Sequence, residues 1–343
     1  MTPLPAALPW RHPTTLRCLE GPAARAFLRT KWAELYALDP LATVYQGPGW
    51  VHGCAAVLPS AANVVVLVAE NLRGEPEAAL ALQRDHNQHG RARLRPLGTP
   101  LAEYIRAVGP AAAQPSAMLV LAQHLVNQAE LGTQVVMPDL PGDSCLSWIL
   151  GTQPGWLHTT VECAAVSLPL NLTAVGRATR RAHHRRERIW AQLAARGRVA
   201  FTRTQTAEEL AAAAATTQEL HRRRWAGHPA LHADDSHDVT EVLAHCGPGE
   251  AFVAQLRLDD AVVASTVCLV RDRTCYSLLP AMLPEAADLA PGHSLIRHLA
   301  VDLARQRYTR LDLGRTVPAQ RSYKAQYSPC WTVTRTAISH GIW

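Results

Sequence analysis

The sequence predicts an α/β (α+β) chain built as two tandem units, each a mixed central sheet flanked by helices. Three observations carry that prediction. Residues 251–279 read as three short strands separated by turn signals, and they feed an apolar helix and then a further short strand. A looser version of the same order runs through residues 63–137. The chain is also large enough for two cores, since 343 residues at 48% hydrophobic content can bury two of ordinary size.

In chain order, residues 3–13 are a proline-rich lead expected to be irregular. A helix is expected over 23–38, where Ala24, Phe27, Leu28, Trp32, Leu35 and Tyr36 fall on one side at helical spacing. Residues 63–70 form an unbroken apolar run of the buried-strand kind, and 91–97 read as another strand. An apolar helix over 118–131 and a short strand over 134–137 complete the first half. The glycines at 151 and 155 mark the junction, which gives units of 1–155 and 156–343.

The second half opens on a dense basic run: Arg177, Arg180, Arg181, His183, His184, Arg185, Arg186 and Arg188. Val175, Ala178, Ala182, Ile189 and Leu193 recur among them at helical spacing, so the run is an amphipathic helix. Two readings of its polar side stay open. It is either a solvated face or, through Arg177, Arg181, Arg185 and Arg188, a surface for a nucleic-acid backbone. Aromatic interleaving for base stacking is absent from it.

The meander follows, with Asp259-Asp260 as its first turn and 271–274 as its second. Pro291-Gly292-His293-Ser294 then opens a helix whose Leu295, Ile296, Leu299, Ala300, Leu303 and Ala304 face one core. Gly292 lets a backbone or ligand approach closely, and Ser294 is expected to cap the helix. The first turn of such a helix carries unpaired N–H groups and the positive end of the dipole, which suits a phosphate or pyrophosphate. Beyond it come Leu311-Asp312-Leu313-Gly314-Arg315, a short strand, and Tyr323-Lys324.

That ordered set resembles the GNAT acyltransferases. Within them it is most similar to the FemAB-like and CelD-type (cellulose-biosynthesis-associated) branch, which reads Pro-Gly, apolar helix, Asp-x-Gly-Arg/Gly and Tyr-Lys. Here those are Pro291-Gly292, residues 294–308, Asp312-Leu313-Gly314-Arg315 and Tyr323-Lys324. Leu220-His221-Arg222-Arg223-Arg224-Trp225 is similar to the branch's Leu-His-x-x-Arg-Trp stretch. In the first half, residues 43–50 ending in Trp50, and Leu97-Gly98 followed by Glu103-Tyr104, resemble it more weakly.

The resemblance implies tandem GNAT-like domains, the first degenerate, and transfer of an acetyl or other acyl group from acyl-CoA to a small-molecule or peptide amine. It implies Lys324 and Tyr323 as catalytic residues, the lysine against the oxyanion or the donor phosphate and the tyrosine as proton donor. Gly292, His293 and Ser294 would hold the donor, while Trp225, with Arg224 before it, would line the acceptor pocket or join the core, and Asp312 and Arg315 would orient the acceptor or pair with each other. The turn is shorter than the Arg/Gln-x-x-Gly-x-Gly/Ala of typical coenzyme-A-binding members, so an aminoacyl-tRNA donor is the alternative, with tRNA as partner. A non-catalytic binding protein of the same fold is a third reading.

Charge and cysteine usage set the remaining bounds. The formal charge is +6 with 34 Lys+Arg, a balance that favours an anionic ligand. Eight cysteines without a C-x-x-C pair, no basic-then-apolar N-terminal segment and no apolar run near the roughly 18 residues a bilayer requires predict a cytoplasmic protein without membrane insertion. His228, His232 and His237, with Asp234 and Asp235 between, fit no zinc spacing, so no metal is expected. Gly47-x-Gly49 has its next glycine at Gly53, one residue late for a dinucleotide fingerprint, and the P-loop and the nucleophile elbow are missing. Dehydrogenase, P-loop kinase and α/β-hydrolase are thereby excluded as readings.

Overall fold

The computed structural model describes residues 14–60, 63–225, 238–247 and 249–339. The lead at 3–13 and the cluster of His228, His232, His237, Asp234 and Asp235 lie outside the described residues. The chain divides into two compact units, one of Met1–Val51, Leu58–Thr159 and Arg335–Trp343, the other of His52–Val57 and Thr160–Thr334. The division falls at 159/160 where the sequence places it at 155/156, and two short segments cross over: 52–57 packs with the second unit and 335–343 with the first.

The first unit contains β1 (Thr15–Glu20), α1 (Gly21–Thr30), α2 (Trp32–Leu38), α3 (Pro48–Ala56, of which His52 onward belongs to the second unit), β2 (Val64–Glu70), β3 (Pro76–His86), β4 (Ala92–Pro96), α4 (Pro115–Glu130), β5 (Gln134–Pro141) and α5 (Cys145–Gly151). Its strands lie in the order β1-β2-β3-β4-β5. The first three pairings are antiparallel and β4–β5 is parallel, bridged by α4. Val64 to Ala69 on β2 are all fully buried, as an apolar run without alternation requires.

The expected helix over 23–38 is two helices instead. Lys31 leaves helical geometry at φ −123°, and the Trp32 indole donates to the Gln46 carbonyl at 2.8 Å. The two weak motifs of this half meet in its core: the Gln46 amide donates to the Tyr104 carbonyl at 3.1 Å, and Tyr45 packs edge-on to Trp50 and against Tyr104.

The second unit contains β6 (Trp156–Ser167, with the first residues in the first unit), α6 (Arg177–Ala195), β7 (Val199–Arg203), α7 (Ala207–Trp225), α8 (Val239–Leu243), β8 (Ala251–Leu258), β9 (Ala261–Arg271), β10 (Thr274–Met282), α9 (Pro291–Arg305), β11 (Arg310–Thr316), α10 (Pro318–Ala325) and β12 (Cys330–Ser339, its last five residues in the first unit). Its strands are ordered β6-β11-β10-β9-β8-β7. The predicted meander is present: Asp259 and Asp260 both take positive φ in the β8–β9 turn, and Asp272 does so in the β9–β10 turn. Aspartate tolerates that region, which is why these tight turns form without glycine.

A meander, a helix and a strand parallel to the last one thus occur in both units, so the loose repetition in the sequence is a repetition of topology. In the second unit α9 lies against β8, β9 and β10. Leu295, Leu299 and Leu303, spaced by one turn, join a core that includes Phe252, Leu256, Leu311 and Tyr327. The helix ends at Arg305 and not at Tyr308, because Arg307 turns to φ 65°.

The apolar face of α6 differs from the expected stripe. Ala178 and Ile189 are exposed, and the buried residues are His183 and Trp190, two turns apart. Arg177, Arg181, Arg185 and Arg188 do share an exposed face. Among the described residues, no helix is long and apolar enough to cross a membrane.

Leu303 is fully buried in the α9 core, and truncating it leaves a void that the surrounding leucines fill only in part. Leu303→Ala is expected to lower unfolding stability by about 2–5 kcal/mol, read from the urea midpoint at unchanged m-value.

Candidate active site

Strands β10 and β11 run parallel for three residue pairs, Thr274 to Tyr276 against Arg310 to Asp312, and share no register beyond them. From there β10 follows β9 to Met282, and β11 follows β6 to Thr316. Each strand carries a bulge where they part. On β10 the register slips between Ser277 and Leu279, leaving Leu278 as an extra residue; on β11 it slips between Asp312 and Arg315, with Gly314 at φ 69°. The buried Asp312 carboxylate builds the second bulge, accepting the Gly314 N–H at 2.8 Å, and it pairs with Arg310 at 3.4 Å.

Lys324, on α10, is buried with its ammonium against that bulge. Nζ donates to the carbonyl oxygens of Leu313, Gly314 and Arg315 at 2.7, 3.0 and 2.6 Å. An ammonium has three N–H donors, so this cage engages all of them. The geometry therefore ties Lys324 to the end of β11, and its reach toward an oxyanion is taken up by backbone.

The turn that opens α9 is also specific. Ala290, not Ser294, is the residue ahead of the helix, and it sits in the left-handed region at φ 49°. That conformation costs a residue other than glycine roughly 1–2 kcal/mol. Pro291 has no N–H, and the His293 and Ser294 N–H groups both point to the Ala290 carbonyl, at 3.0 and 3.5 Å. Gly292 is left as the first-turn residue with an open N–H among the described residues. A Cβ added at Gly292 would stand 3.3 Å from the Tyr323 hydroxyl, so turn and tyrosine are in contact. Ser294 is a buried residue of the first turn and makes no cap.

His293 was expected only as part of this turn, but it is the hub of a buried aromatic cluster. Its Nδ1 lies 2.6 Å from the Tyr327 hydroxyl, and its ring packs 4.4 Å from Tyr323. Tyr327 in turn packs edge-on against Tyr323, ring centroids 6.1 Å apart. His183 from α6 packs edge-on against His293 and Tyr327, and its Nε2 is 2.9 Å from the Gln326 carbonyl. Tyr327 was not singled out in the sequence, and His183 was named only as a member of the basic run. The spacing Tyr323-x-x-x-Tyr327, one helical turn, was the available signal.

Burial dominates the electrostatics of the cluster. It holds the His293 pKa down at about 3, with the charges of Arg186 and His183 adding to the effect. It pushes Tyr323 up to about 12 despite the opposing pull of Arg224, the Tyr327 hydroxyl and the charge of Arg186, and it raises Tyr327 well above its ordinary value. Arg224 thus faces Tyr323 from α7, and its guanidinium stacks 5.0 Å above the Trp225 ring. Burial lowers the Arg224 pKa, with Tyr323 opposing. Gly292, His293, Tyr323 and Arg224 therefore converge, Trp225 adjoins them through Arg224, and Asp312, Arg315 and Lys324 form the supporting bulge beneath.

A groove of about 440 Å³ lies between α6 and α9, with His183, Arg186, Trp190, His293, Ser294 and Arg297 among its walls. Glu187 pairs with Arg297 across it. No cluster of metal-ligating side chains occurs among the described residues.

Two outcomes are expected from this geometry. Lys324→Met keeps volume but leaves three carbonyls without their donor, and should cost about 2–5 kcal/mol in urea unfolding. The neutral, buried His293 gives a pH signature. The unfolded chain takes up a proton as pH falls through about 6.5, whereas folded His293 resists until about 3. Its contribution is therefore complete above about pH 6.5 and is lost progressively below. The fall in urea midpoint from about pH 7 to about pH 5 should shrink in His293→Gln.

Residues 178–325 match the family described as an acetyltransferase (GNAT) domain. Among solved structures, the C-terminal domain of a putative lysylphosphatidylglycerol synthetase from Agrobacterium fabrum has a TM-score of 0.56 at 15% identity, covering 92% of each chain. The L-PGS structure from Bacillus licheniformis gives 0.54 at 16% identity over 94% of each chain. FemX gives 0.56 at 10% identity, over 94% of this chain and 96% of its own. These likenesses concern the fold. No curated protein matches the chain. The segment that carries Gly292, Arg224, Tyr323 and Lys324 is thus an acetyltransferase domain of the GNAT type, and it makes the chain an acyltransferase.

Proposed function

We propose that the second unit transfers an acyl group, acetyl foremost, from an acyl-CoA thioester to an amine by direct attack. The observation that carries this reading is the parting of β10 and β11, with a bulge on each strand, beside the point where the α9 turn meets the Tyr323 hydroxyl. Parted parallel strands open a slot for an extended donor, and the Gly292 N–H at the positive end of α9 offers a seat for its phosphate.

In this reading the neutral amine attacks the acyl carbon, and a backbone N–H at the Leu278 bulge stabilises the oxyanion. The C–S bond breaks, and the leaving thiolate takes a proton from Tyr323. His293 and Ser294 shape the donor turn from within. Arg224 and Trp225 form the acceptor side, with Arg315 at the bulge. Lys324 and Asp312 act as positioning residues. The FemAB-like and CelD-type resemblance belongs to this proposal, as does a degenerate first unit that has the topology but no turn equivalent to Pro291-Gly292.

A second reading, transfer from an aminoacyl-tRNA as in FemAB-like enzymes, is favoured by one specific observation. Arg177, Arg181, Arg185 and Arg188 share an exposed face of α6, and such a row suits a phosphate backbone.

Thermal unfolding with CoA, acetyl-CoA or an aminoacyl-tRNA mixture separates the two. A ligand present at about a hundred times its Kd stabilises by about 2.7 kcal/mol. The expected result is an upward shift with the CoA compounds that Gly292→Asp abolishes, since the substitution adds bulk against Tyr323 and negative charge at the phosphate seat. A shift with tRNA alone selects the second reading, and none with either sinks both.

A further inference from the structure

The mechanism above leaves a difficulty at Tyr323. A phenol whose pKa is pushed up to about 12 is a reluctant donor to a thiolate, because the buried phenolate it leaves behind is costly. The same burial that keeps Tyr323 neutral therefore opposes its use unless the proton is replaced as it departs.

The surroundings supply a route for that replacement. Tyr327 lies just past the end of α10, four residues beyond Tyr323, and the two rings pack edge-on with centroids 6.1 Å apart. Tyr327 Oη lies 2.6 Å from His293 Nδ1, within the range of a strong hydrogen bond. His293 also lines the groove between α6 and α9, so the imidazole has the tyrosine pair on one side and the groove on the other. An imidazole kept neutral is suited to such a place. It can give up a proton from one nitrogen and receive one on the other without ever holding a stable charge.

We propose that Tyr323, Tyr327 and His293 form a proton relay that connects the donor turn at Gly292 with the groove between α6 and α9. The inference rests on the acyl-transfer reading. As the C–N bond forms and the C–S bond breaks, Tyr323 protonates the leaving sulfur, Tyr327 passes its proton to Tyr323, and His293 Nδ1–H passes one to Tyr327. His293 Nε2 takes a proton from water in the groove. The nascent amide nitrogen releases one proton to solvent, so the sum is amine plus thioester giving amide plus thiol. Tyr323 is the catalytic residue of the chain, and Tyr327 and His293 act through it. His183, packed against both rings, holds them in place through its Gln326 bond.

The relay can be tested without a known acceptor. In protein carrying tyrosine labelled with carbon-13 at Cζ, hydroxyl exchange in mixed H2O and D2O is read from the deuterium shift of each Cζ line. Tyr323→Phe and Tyr327→Phe assign the two resonances. His293→Gln retains a hydrogen bond to Tyr327 but cannot pass a proton from one atom to another, and His293→Phe removes both functions while filling the space. Hydroxyl exchange at Tyr323 and Tyr327 is expected to slow at least tenfold in both variants, with the far-ultraviolet dichroism of the wild type. Unchanged rates in a folded His293→Gln protein overturn the relay. Its use in turnover is read separately, by thiol release from acetyl-CoA across a panel of primary amines. There His293→Gln should lower kcat at least tenfold at unchanged KM, and slowed exchange with undiminished kcat overturns that use. No thiol release from the wild type with any amine overturns the acyl-CoA reading, while the exchange result still decides whether the relay exists.

Discussion

The Lys324 ammonium, buried against three consecutive carbonyl oxygens, is the constraint on which the second unit's site depends. A lysine is removed from water only where its charge is fully engaged, and here Leu313, Gly314 and Arg315 engage it. The carbonyls of three neighbouring residues can turn toward one cation because the strand bulges, and it bulges because Asp312 takes the Gly314 N–H out of the ladder. Asp312 and Lys324 therefore grip the same few residues of β11 from opposite polarities. α10 follows directly, so its Tyr323, and Tyr327 just past its end, are placed by that grip. The resemblance gives Lys324 a role in the chemistry, whereas its donors act on the scaffold. A motif residue invariant in order need not touch the substrate to be indispensable to the site.

Much of this was legible from residue pattern. The three-stranded meander, the core face of α9 and the row of arginines on α6 all follow from spacing, because each is a local pattern facing a single environment. The failures share a cause. Ser294 has the chemistry of a cap, but the proline at 291 already starts the helix and the left-handed Ala290 completes the turn, so the serine falls inside. On α6 a stripe of apolar residues suggested the buried face, yet His183 and Trp190 are buried, with the Gln326 carbonyl at His183 Nε2 and the Leu289 carbonyl accepting the Trp190 indole N–H. Strands β1, β3, β6, β7 and β12 went unread, since alanine-rich or polar strands draw their stability from neighbours and not from propensity. His293 and Tyr327 are 34 residues apart, and no periodicity connects a helix's first turn with the residues just past another helix.

The repetition between units bears on how the fold divides its labour. Both have a meander, a helix and a parallel strand, so both have the geometry in which neighbouring parallel strands end side by side. What the first unit lacks is the short turn into its helix. Between β4 and α4 it runs through Gly98 and Tyr104, both at positive φ, and this long connection is packed into the core by Gln46 and Ile105. A connection filled by its own side chains cannot also present open N–H groups to an anion. The proposed acyl transfer accordingly belongs to the second unit, and the first shares its topology without that turn.

The α9 turn weighs on the nature of the donor. A helix start that seats a pyrophosphate ordinarily does so with several N–H groups aimed outward. In this chain proline removes one, the Ala290 carbonyl occupies two, and Gly292 offers the rest. A turn so depleted holds a phosphate weakly by itself, and the missing attraction has to come from side chains. Arg224 is at hand, half-buried and facing Tyr323 at the same turn, while the arginine row on α6 is exposed and carries no acid among its four members. A compact donor would draw on the first and a long polyanion on the second. For the proposed donor site, affinity would thus be set less by the helix dipole than by which of the two groups of cations the donor's phosphates could reach.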